Sequence, residues 1–327
     1  MRSRRSLLAV LFAVLAAVTT ACFGPAPPGG GGAGTGGGGS GDRNGPLGGC
    51  PVFPADSPWN TDISQYPVHP SSDAYITSIL AHGGDHLHAD FGGGGAYGIP
   101  YVTVPGTQPD VPVNFTAYGD ESDAAPYKTP LQAPIEGGPA SDGDRHVLSI
   151  DRDHCVLYEL YRAFPRQGHW DADSGAIWDL RSNRLRPPRW TSADAAGLPI
   201  FPGLVRYDEI AAGHIDHALR FTVNATRRGY VLPATHWASS STDVDRPPMG
   251  LRLRLKADYD ISGFTGQSRV VLEALRRYGM IVADNGSNWF ITGAADTRFS
   301  DSDLSQLKTV PGAAFEVVDT GDVCTGT

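Results

Sequence analysis

The stretch LRLRLKAD at residues 251–258 alternates apolar and charged side chains along its whole length. Successive side chains of a β-strand point to opposite faces, so this alternation predicts a strand with one apolar face. Arg252, Arg254 and Lys256 would form a basic stripe on the other face, either simply facing solvent or meeting an acidic polymer. We therefore work outward from a β-sheet.

Short β-prone runs bounded by Gly, Pro and Asp recur on both sides of this stretch. They occupy residues 101–104, 111–115, 146–150, 155–162, 176–180, 214–223, 280–283, 289–291 and 315–318. The turn-rich residues 284–288 predict a hairpin tip between two of these runs. Helices are expected only at 71–80, 267–278 and 301–307.

These elements predict a mainly β fold. The simplest form is a single β-sandwich or jelly-roll-like domain over residues 50–327, with a few short peripheral helices. An α+β arrangement is the alternative.

The first 49 of the 327 residues have a different composition. A basic start and a short apolar run predict a signal peptide at 1–21, and Cys22 stands where a lipoprotein signal has its acylated cysteine. Residues 23–49 contain 14 of the 41 glycines, which predicts a disordered Gly/Pro-rich tether. We expect an exported protein, either held at the outer face of the cytoplasmic membrane by this lipid or secreted.

The charge balance and the cysteines of residues 50–327 narrow the classes of protein to which this part of the chain can belong. Residues 50–327 contain 22 Lys and Arg against 34 Asp and Glu, which argues against a general nucleic-acid binder. Domain termini often lie close together, so we expect a Cys50–Cys324 disulfide, with Cys155 free and buried. The chain has no zinc-finger spacing.

Carboxylates are the first candidates for catalysis. Asp194 lies in a turn-like stretch, Glu209 precedes a short apolar segment, and Glu159 lies in the middle of an apolar strand face. A pair of carboxyl groups, one protonated and one ionised, could cleave a glycoside. Asx turns, helix caps and ion pairs would explain the same residues without catalysis.

Several neighbours are candidates for substrate binding. Asp144 and Arg145 lie side by side after a loop, Asp208 precedes Glu209, and His236 and Trp237 follow a strand. Acidic and basic side chains can bind sugar hydroxyls, and a tryptophan can stack on a sugar ring. A solvated loop end is the structural alternative for the Asp144–Arg145 pair.

Histidines could hold a metal ion at two places. His86 and His88 share one face if extended, and His214 could join His236 in a second set. His217 lies among apolar residues, which is typical of a hydrogen-bonded core histidine. We expect no metal and no other cofactor, with these histidines as the weaker alternative.

Four motifs resemble those of a family of secreted, largely uncharacterised microbial proteins. They are DAAGLPI at 194–200, GLVRYDE at 203–209, HALRF at 217–221 and YGMIVADNGSN at 278–288. The resemblance implies a recurrent exported domain and carries no activity and no site residues.

The function that these patterns favour is an exported carbohydrate-active enzyme, a glycoside hydrolase with paired carboxylates. A non-catalytic lipoprotein that binds glycan or cell wall is the alternative, and a metal-dependent hydrolase is a third. The expected partner is a polysaccharide or cell-wall glycan, with membrane contact only through the N-terminal lipid. We expect a monomer that binds no nucleic acid.

Overall fold

A computed structural model describes residues 47–124 and 126–326. The signal peptide, Cys22 and nearly all of the predicted tether lie outside these residues. Leu47 is already buried in the core. No helix within the described residues is long and apolar enough to cross a membrane.

The described chain contains thirteen β-strands and four α-helices, joined by turns and short 3₁₀ segments. The strands are β1 (His88–Asp90), β2 (Tyr101–Val104), β3 (Val113–Phe115), β4 (Val147–Asp151), β5 (Val156–Tyr161), β6 (Phe164–Pro165), β7 (Trp170–Ala172), β8 (Ser174–Asp179), β9 (Leu219–Val223), β10 (Arg252–Leu255), β11 (Met280–Asn285), β12 (Phe290–Thr292) and β13 (Phe315–Val317). The helices are α1 (Ser72–Ala81), α2 (Tyr207–Ala212), α3 (Gly266–Arg277) and α4 (Asp301–Leu304). The prediction of a mainly β fold with a few short helices is confirmed.

The strands form three separate sheets. The largest has six strands in the order β1-β12-β9-β11-β10-β13, with parallel pairs β1·β12 and β9·β11. A second sheet has the order β2-β4-β5-β8, and a third has the order β3-β7-β6. Two hydrophobic clusters fill the interior. The larger joins the first two sheets, and the smaller lies between the second and third.

Helix α3 has the amphipathic pattern that the sequence predicted. Val271, Leu272 and Leu275 are buried, while Arg276 and Arg277 lie in the last turn, where positive charge favours the helix end. Gly279 follows with φ +68°, and a Cβ there would lie 2.1 Å from the carbonyl oxygen of Leu253. Only glycine therefore allows the chain to turn from α3 into β11 at this point.

The predicted hairpin between 280 and 291 is wrong. β11 and β12 do not pair with each other, because β9 lies between them and pairs with both. β11 also continues through Asp284 to Asn285, so these two residues belong to a strand rather than to a tip. The run at 214–223 likewise forms a strand only from Leu219 onward, after helix α2 and its Gly213 cap.

The charged face of β10 is not a solvent-facing stripe. Arg252 and Arg254 are buried beneath residues 57–66 and donate to backbone carbonyls there, including Thr61 O at 3.0 Å and Ile63 O at 2.6 Å. Arg254 also pairs with Glu316 on the neighbouring strand β13. The period-two pattern predicted the strand correctly, whereas the exposure of its polar face was wrong.

The disulfide pairing also differs from the prediction. Cys50 is bonded to Cys155, with Cα atoms 5.3 Å apart. The start of the described chain packs against the turn between β4 and β5, where a Cβ on Gly48 would lie 3.2 Å from Arg152. Cys155 is therefore buried but not free. The backbone of Cys324 pairs with that of Tyr230.

Candidate active site

One face of the six-stranded sheet carries a row of polar side chains. Asp90 on β1 is in register with Thr292 on β12, and Arg220 on β9 follows Thr292 across the next pair of strands. Residues in register on neighbouring strands share a face. Arg220 donates a hydrogen bond from its guanidinium to the Thr292 hydroxyl at 2.8 Å, which joins β9 and β12 within this row.

A β-bulge in β11 adds Asp284 to this face. The register of β11 on β9 shifts between Val282 and Asp284, so that Asp284 rather than Ala283 lies opposite Thr222. Thr222 and Arg220 are two residues apart on β9 and therefore share a face. A bulge commonly re-aims a side chain next to an active site. Here it brings a half-buried carboxyl group to the Arg220 face.

Asp194 lies against the same face from the loop at residues 191–198. Its Oδ1 accepts a hydrogen bond from Arg220 at 2.9 Å, and its side chain is completely buried. Asp194 Oδ2 and Arg220 Nε are both buried without a hydrogen-bond partner. Burial raises the pKa of Asp194, although Arg220 opposes the shift. This ion pair thus retains unused hydrogen-bonding capacity.

Gly197 sets the path of the Asp194 loop. It has φ +70°, and a Cβ there would lie 2.2 Å from the Thr235 hydroxyl. The next residue back, Ala196, donates from its N–H to the carbonyl of Ala283 in the bulge at 3.1 Å. The loop and the bulge are therefore fixed to each other.

His146 forms the other charged pair of the site. Its Nδ1 lies 2.6 Å from Glu136, and its Nε2 donates to the carbonyl of Ala193 at 3.0 Å. Burial alone would lower the pKa of His146, but the Glu136 carboxylate raises it to about 9. Both ring nitrogens face oxygen acceptors, which fits a protonated imidazole at neutral pH.

Asp284 has the most informative ionisation of the group. Burial, together with the negative charge of Asp194, raises the pKa of Asp284 to about 7, although Arg220 opposes this. Burial and the charge of Glu136 also raise the pKa of Asp90. A half-buried carboxylic acid that keeps its proton near neutral pH can act as a general acid.

Asp144 and Tyr161 complete the rim. Asp144 is exposed, and its charge acts on both His146 and Tyr161. Burial and the charges of Asp144 and Asp284 raise the pKa of Tyr161, although Arg162 opposes the shift. We name Asp90, Asp144, His146, Asp194, Arg220 and Asp284 the Asp284 cluster.

An aromatic stack adjoins this cluster. His236 stacks on Trp237 at 6.4 Å between ring centroids, and Trp237 stacks on Tyr230 at 5.9 Å. His236 Nδ1 donates to the carbonyl of Ala195 at 2.7 Å, directly after Asp194. Asn285, directly after Asp284, donates to the carbonyl of Ala238 at 3.3 Å. His236 and Trp237 are both partly exposed, and the guanidinium of Arg228 lies over the Trp237 ring, 5.5 Å from its centroid.

The three predicted catalytic carboxylates are not brought together at an open surface. Glu159 is completely buried and accepts hydrogen bonds from the backbone N–H groups of Ile200 and Phe201. Burial raises the pKa of Glu159 to about 7 despite these donors. Its carboxyl group fixes the 3₁₀ turn that follows the Asp194 loop.

Glu209 belongs to a separate buried network. Its two oxygens contact Arg206 and His217, and His217 donates to the carbonyl of Ala218 at 2.8 Å. Burial opposes ionisation, but the contacts with Arg206 and His217 hold the pKa of Glu209 below its usual value. His217 is the hydrogen-bonded core histidine that the sequence predicted. Asp208 lies outside and pairs with Arg298.

Of the predicted substrate-binding residues, Arg145 is fully engaged elsewhere. It is buried and donates to the carbonyls of Pro139, Ser141 and Ala163. A guanidinium with these partners shapes the loop before β4 and cannot also bind a sugar. Asp144, His236 and Trp237 all lie in or beside the Asp284 cluster.

The candidate metal-binding histidines have other neighbours. His86 pairs with Asp85, His88 stacks on Phe290 with centroids 4.5 Å apart, and His214 pairs with Asp216. Within residues 47–124 and 126–326, no group of three or more His, Cys, Asp or Glu side chains could hold a metal ion.

A separate groove reaches Leu198 at the end of the Asp194 loop. Aromatic and proline side chains form half of its lining, which also includes Asn183 and Arg184. Trp59 and Trp178 line it, and the indole N–H of Trp178 donates to Glu159 at 3.2 Å. Glu159 therefore helps to hold Trp178 in the wall of this groove.

Sequence reasoning missed Asp284, Glu136 and His146 as parts of a site. Asp284 directly follows the apolar run at 280–283, and a carboxylate at the end of a buried strand is a usable signal. The bulge that turns it toward Arg220 has no such signature. No protein-family model, curated protein or solved structure matches this chain.

Proposed function

We propose that the protein is an exported carbohydrate-active hydrolase in which Asp284 is the general acid of a carboxylate pair. One observation carries the proposal: a half-buried Asp284 whose pKa is raised to about 7 beside a buried aspartate and an aromatic stack. Glycoside cleavage needs a carboxylic acid that remains protonated near the working pH.

Asp144 is the best partner for Asp284. Asp144 is exposed, and the charges of Asp144 and Asp284 both raise the pKa of Tyr161. Asp284 would protonate the glycosidic oxygen as its bond to the anomeric carbon breaks. The ionised Asp144 would either remove a proton from the attacking water or attack the anomeric carbon itself, with water then releasing the sugar.

Asp194 and Arg220 have a supporting role in this scheme. The charge of Asp194 raises the pKa of Asp284, and Arg220 limits that rise. The His236–Trp237 stack supplies a flat face for a sugar ring, as aromatic side chains do in ligand sites. The proposal therefore keeps Asp194, Asp144, His236 and Trp237 from the sequence analysis, and it moves the acid to Asp284.

Export and membrane attachment are part of the same proposal. A signal peptide and a lipid on Cys22 would bring the domain to a glycan outside the cytoplasmic membrane, where a disulfide such as Cys50–Cys155 persists. A polysaccharide or cell-wall glycan is the proposed partner of a monomeric domain without a cofactor.

The test is the release of reducing ends from a panel of polysaccharides. We expect Asp284→Asn to lower the rate at least ~100-fold, since general acid catalysis contributes about 10²–10⁴-fold. Asp258→Asn is the matched control, because Asp258 is exposed in a turn after β10. The wild-type rate should fall as the pH rises through about 7, where Asp284 loses its proton. Asp194→Asn should move this fall to lower pH, because it removes the charge that raises the pKa of Asp284.

An active Asp284→Asn variant, with a pH profile like that of the wild type, would refute the role of Asp284. Product anomers read by NMR would distinguish the two actions of Asp144, because inversion indicates a base and retention a nucleophile. The same assay with a metal chelator added tests the alternative of a metal-dependent hydrolase.

A non-catalytic glycan-binding protein is the second candidate. The groove lined by Trp59 and Trp178 supports it, since aromatic walls with a few polar groups are typical of ligand sites. Polysaccharide binding that Trp59→Ala weakens, with no reducing ends released by any preparation, would favour this candidate.

A further inference from the structure

Arg228 differs from the other arginines that lie over aromatic rings. Its guanidinium lies over the Trp237 ring, and within residues 47–124 and 126–326 it donates no hydrogen bond and forms no ion pair. Every other arginine of the described chain that lies over an aromatic ring donates to a protein oxygen. These are Arg145, Arg166, Arg186, Arg206, Arg277 and Arg298. Arg228 therefore has the ring but no acceptor.

The contact with Trp237 leaves the N–H donors of Arg228 available. A guanidinium is planar and its donors point outward from its edge, so that an aromatic ring covers only its face. Trp237 is itself held, because it stacks on Tyr230 with centroids 5.9 Å apart. The backbone N–H of Arg228 donates to the carbonyl of Ser241 at 2.7 Å, and its side chain is exposed. Arg228 is thus positioned to donate to an anion.

Arg189 brings a second guanidinium to the same ring. A Cβ on Gly326 would lie 2.7 Å from Cη2 of Trp237 and 3.5 Å from Cδ of Arg189, so the arginine stem passes beside the indole. Burial raises the pKa of Tyr230, and the positive charge of Arg189 opposes this shift. The Arg189 side chain is exposed and, like that of Arg228, has no acceptor in the described part of the chain.

The backbone of Arg189 connects this pair of arginines to the Asp284 cluster. Arg189 has φ +71°, a left-handed conformation that few residues other than glycine adopt. Its N–H donates to the carbonyl of Thr235 at 2.6 Å, and the N–H of Thr235 donates to the carbonyl of Ala196 in the Asp194 loop at 2.9 Å. Two like charges held beside one ring repel each other, and a bound anion would relieve that repulsion.

We propose that Arg189 and Arg228 form an anion-binding subsite that takes the carboxylate of a uronate residue in the glycan. This inference rests on the proposed function, because it names the substrate class of the same site. A carboxylate matches the planar guanidinium and accepts two parallel hydrogen bonds from it. A sulfate ester on a sugar would supply the same negative charge, so the test includes one. A neutral sugar gains nothing from either charge.

The test measures binding to the wild-type protein by calorimetry at pH 7 in 50 mM salt. The probes are oligomers of galacturonate, glucuronate and mannuronate, each with its neutral methyl ester of equal length, and a sulfated galactose oligomer. We expect at least one uronate to bind about tenfold more tightly than its ester and to lose most of this advantage in 0.5 M salt. Three uronates that bind no better than their esters would overturn the inference. Tighter binding of the sulfated oligomer would overturn the assignment to a carboxylate.

Variants of the two arginines locate the effect. Arg228→Gln and Arg189→Gln should each weaken binding of the preferred uronate about tenfold and leave binding of its ester unchanged. Arg152→Gln is the matched control, because Arg152 is exposed in the turn between β4 and β5 and has no acceptor among the described residues. All three variants should unfold at the wild-type Tm. An equal loss of binding in Arg152→Gln would mean that only net charge matters, which would overturn the subsite.

Hydrolysis assays on the same oligomers separate this inference from the proposed function. Cleavage of esters and uronates at equal rates, unchanged by Arg228→Gln, leaves the hydrolase standing and removes the subsite. Uronate binding that Arg228→Gln weakens, with no cleavage of any oligomer, keeps the subsite and removes the hydrolase. If both hold, Arg228→Gln should raise KM for the uronate about tenfold with little change in kcat, whereas Asp284→Asn should lower kcat.

Discussion

Two buried networks in this protein each contain a carboxylate, an arginine and a histidine. Glu209 is joined to Arg206 and His217, and Asp194 is joined to Arg220 in a cluster that includes His146. In the Glu209 network both carboxylate oxygens have partners, and the contacts with these partners hold the pKa of Glu209 below its usual value. In the Asp194 network one carboxylate oxygen and one guanidinium nitrogen have none, and the pKa of Asp194 is raised.

The difference lies in hydrogen-bond satisfaction and not in composition. A fully satisfied buried network stabilises one conformation, whereas a partly satisfied one retains capacity for water or a ligand. Burial, together with the charge of Asp194 in the second network, raises the pKa of Asp284. This contrast separates a structural network from a candidate active site where residue types alone cannot.

The largest expected effect is on the Glu209 network. Glu209→Gln leaves Arg206 and His217 buried without a negative partner and should cost about 3–5 kcal/mol of unfolding free energy. Asp194→Asn should cost less, about 1–2 kcal/mol, because Arg220 keeps Thr292 and Asp284 can ionise in place of Asp194. Urea denaturation at pH 7 measures both, with Asp258→Asn as control. If Asp194→Asn is the more costly change, the contrast between the networks is wrong.

The next effect depends on pH. The pKa of His146 is about 9 in the fold and about 6.5 in an unfolded chain, so its pair with Glu136 stabilises the protein fully below pH 6.5. That stability is lost as the pH rises through about 9. Glu136→Gln should therefore cost about 2–3 kcal/mol at pH 6 and almost nothing at pH 10. A cost that stays constant between these pH values would contradict a charged pair.

The smallest effect concerns the support of Arg220. Thr292→Val removes the hydroxyl that accepts a hydrogen bond from Arg220 at 2.8 Å, and should cost about 1 kcal/mol. Thr222→Val is the matched control on the same face, because its hydroxyl is partly exposed and bonds only to the carbonyl of Ser287. Thermal unfolding should give a clearly lower Tm for Thr292→Val than for Thr222→Val. Equal values would mean that Arg220 does not depend on Thr292.

Local patterns in the sequence predicted the elements well. β2 matches its predicted run at residues 101–104, and α3 matches the amphipathic pattern and its Gly279 stop to within one residue. These features depend on neighbours along the chain, which periodicity and capping describe directly.

Features that depend on distant parts of the chain could not be predicted in this way. β9 enters between β11 and β12, so an apparent hairpin is not one. Residues 57–66 cover Arg252 and Arg254, so an apparent solvent face is buried. The Asp284 cluster could not be predicted for the same reason. A bulge, a distant loop and a third strand assemble it, and none of these leaves a pattern in the sequence around Asp284.

The Cys50–Cys155 bond decides how a pulling force would pass through the molecule. It lies near the start of the described chain and closes a loop with a sequence separation of 105. Tension on the preceding chain would enter the turn between β4 and β5 directly, and the enclosed residues could not be extended. Removing this bond with Cys50→Ser and Cys155→Ser should therefore let about 350 Å more chain extend when one molecule is stretched from its ends, at about 3.4 Å per residue. Force applied to the chain before Cys50 would therefore pass through the second sheet, while the enclosed part, including Asp90 and Asp144, carries no tension.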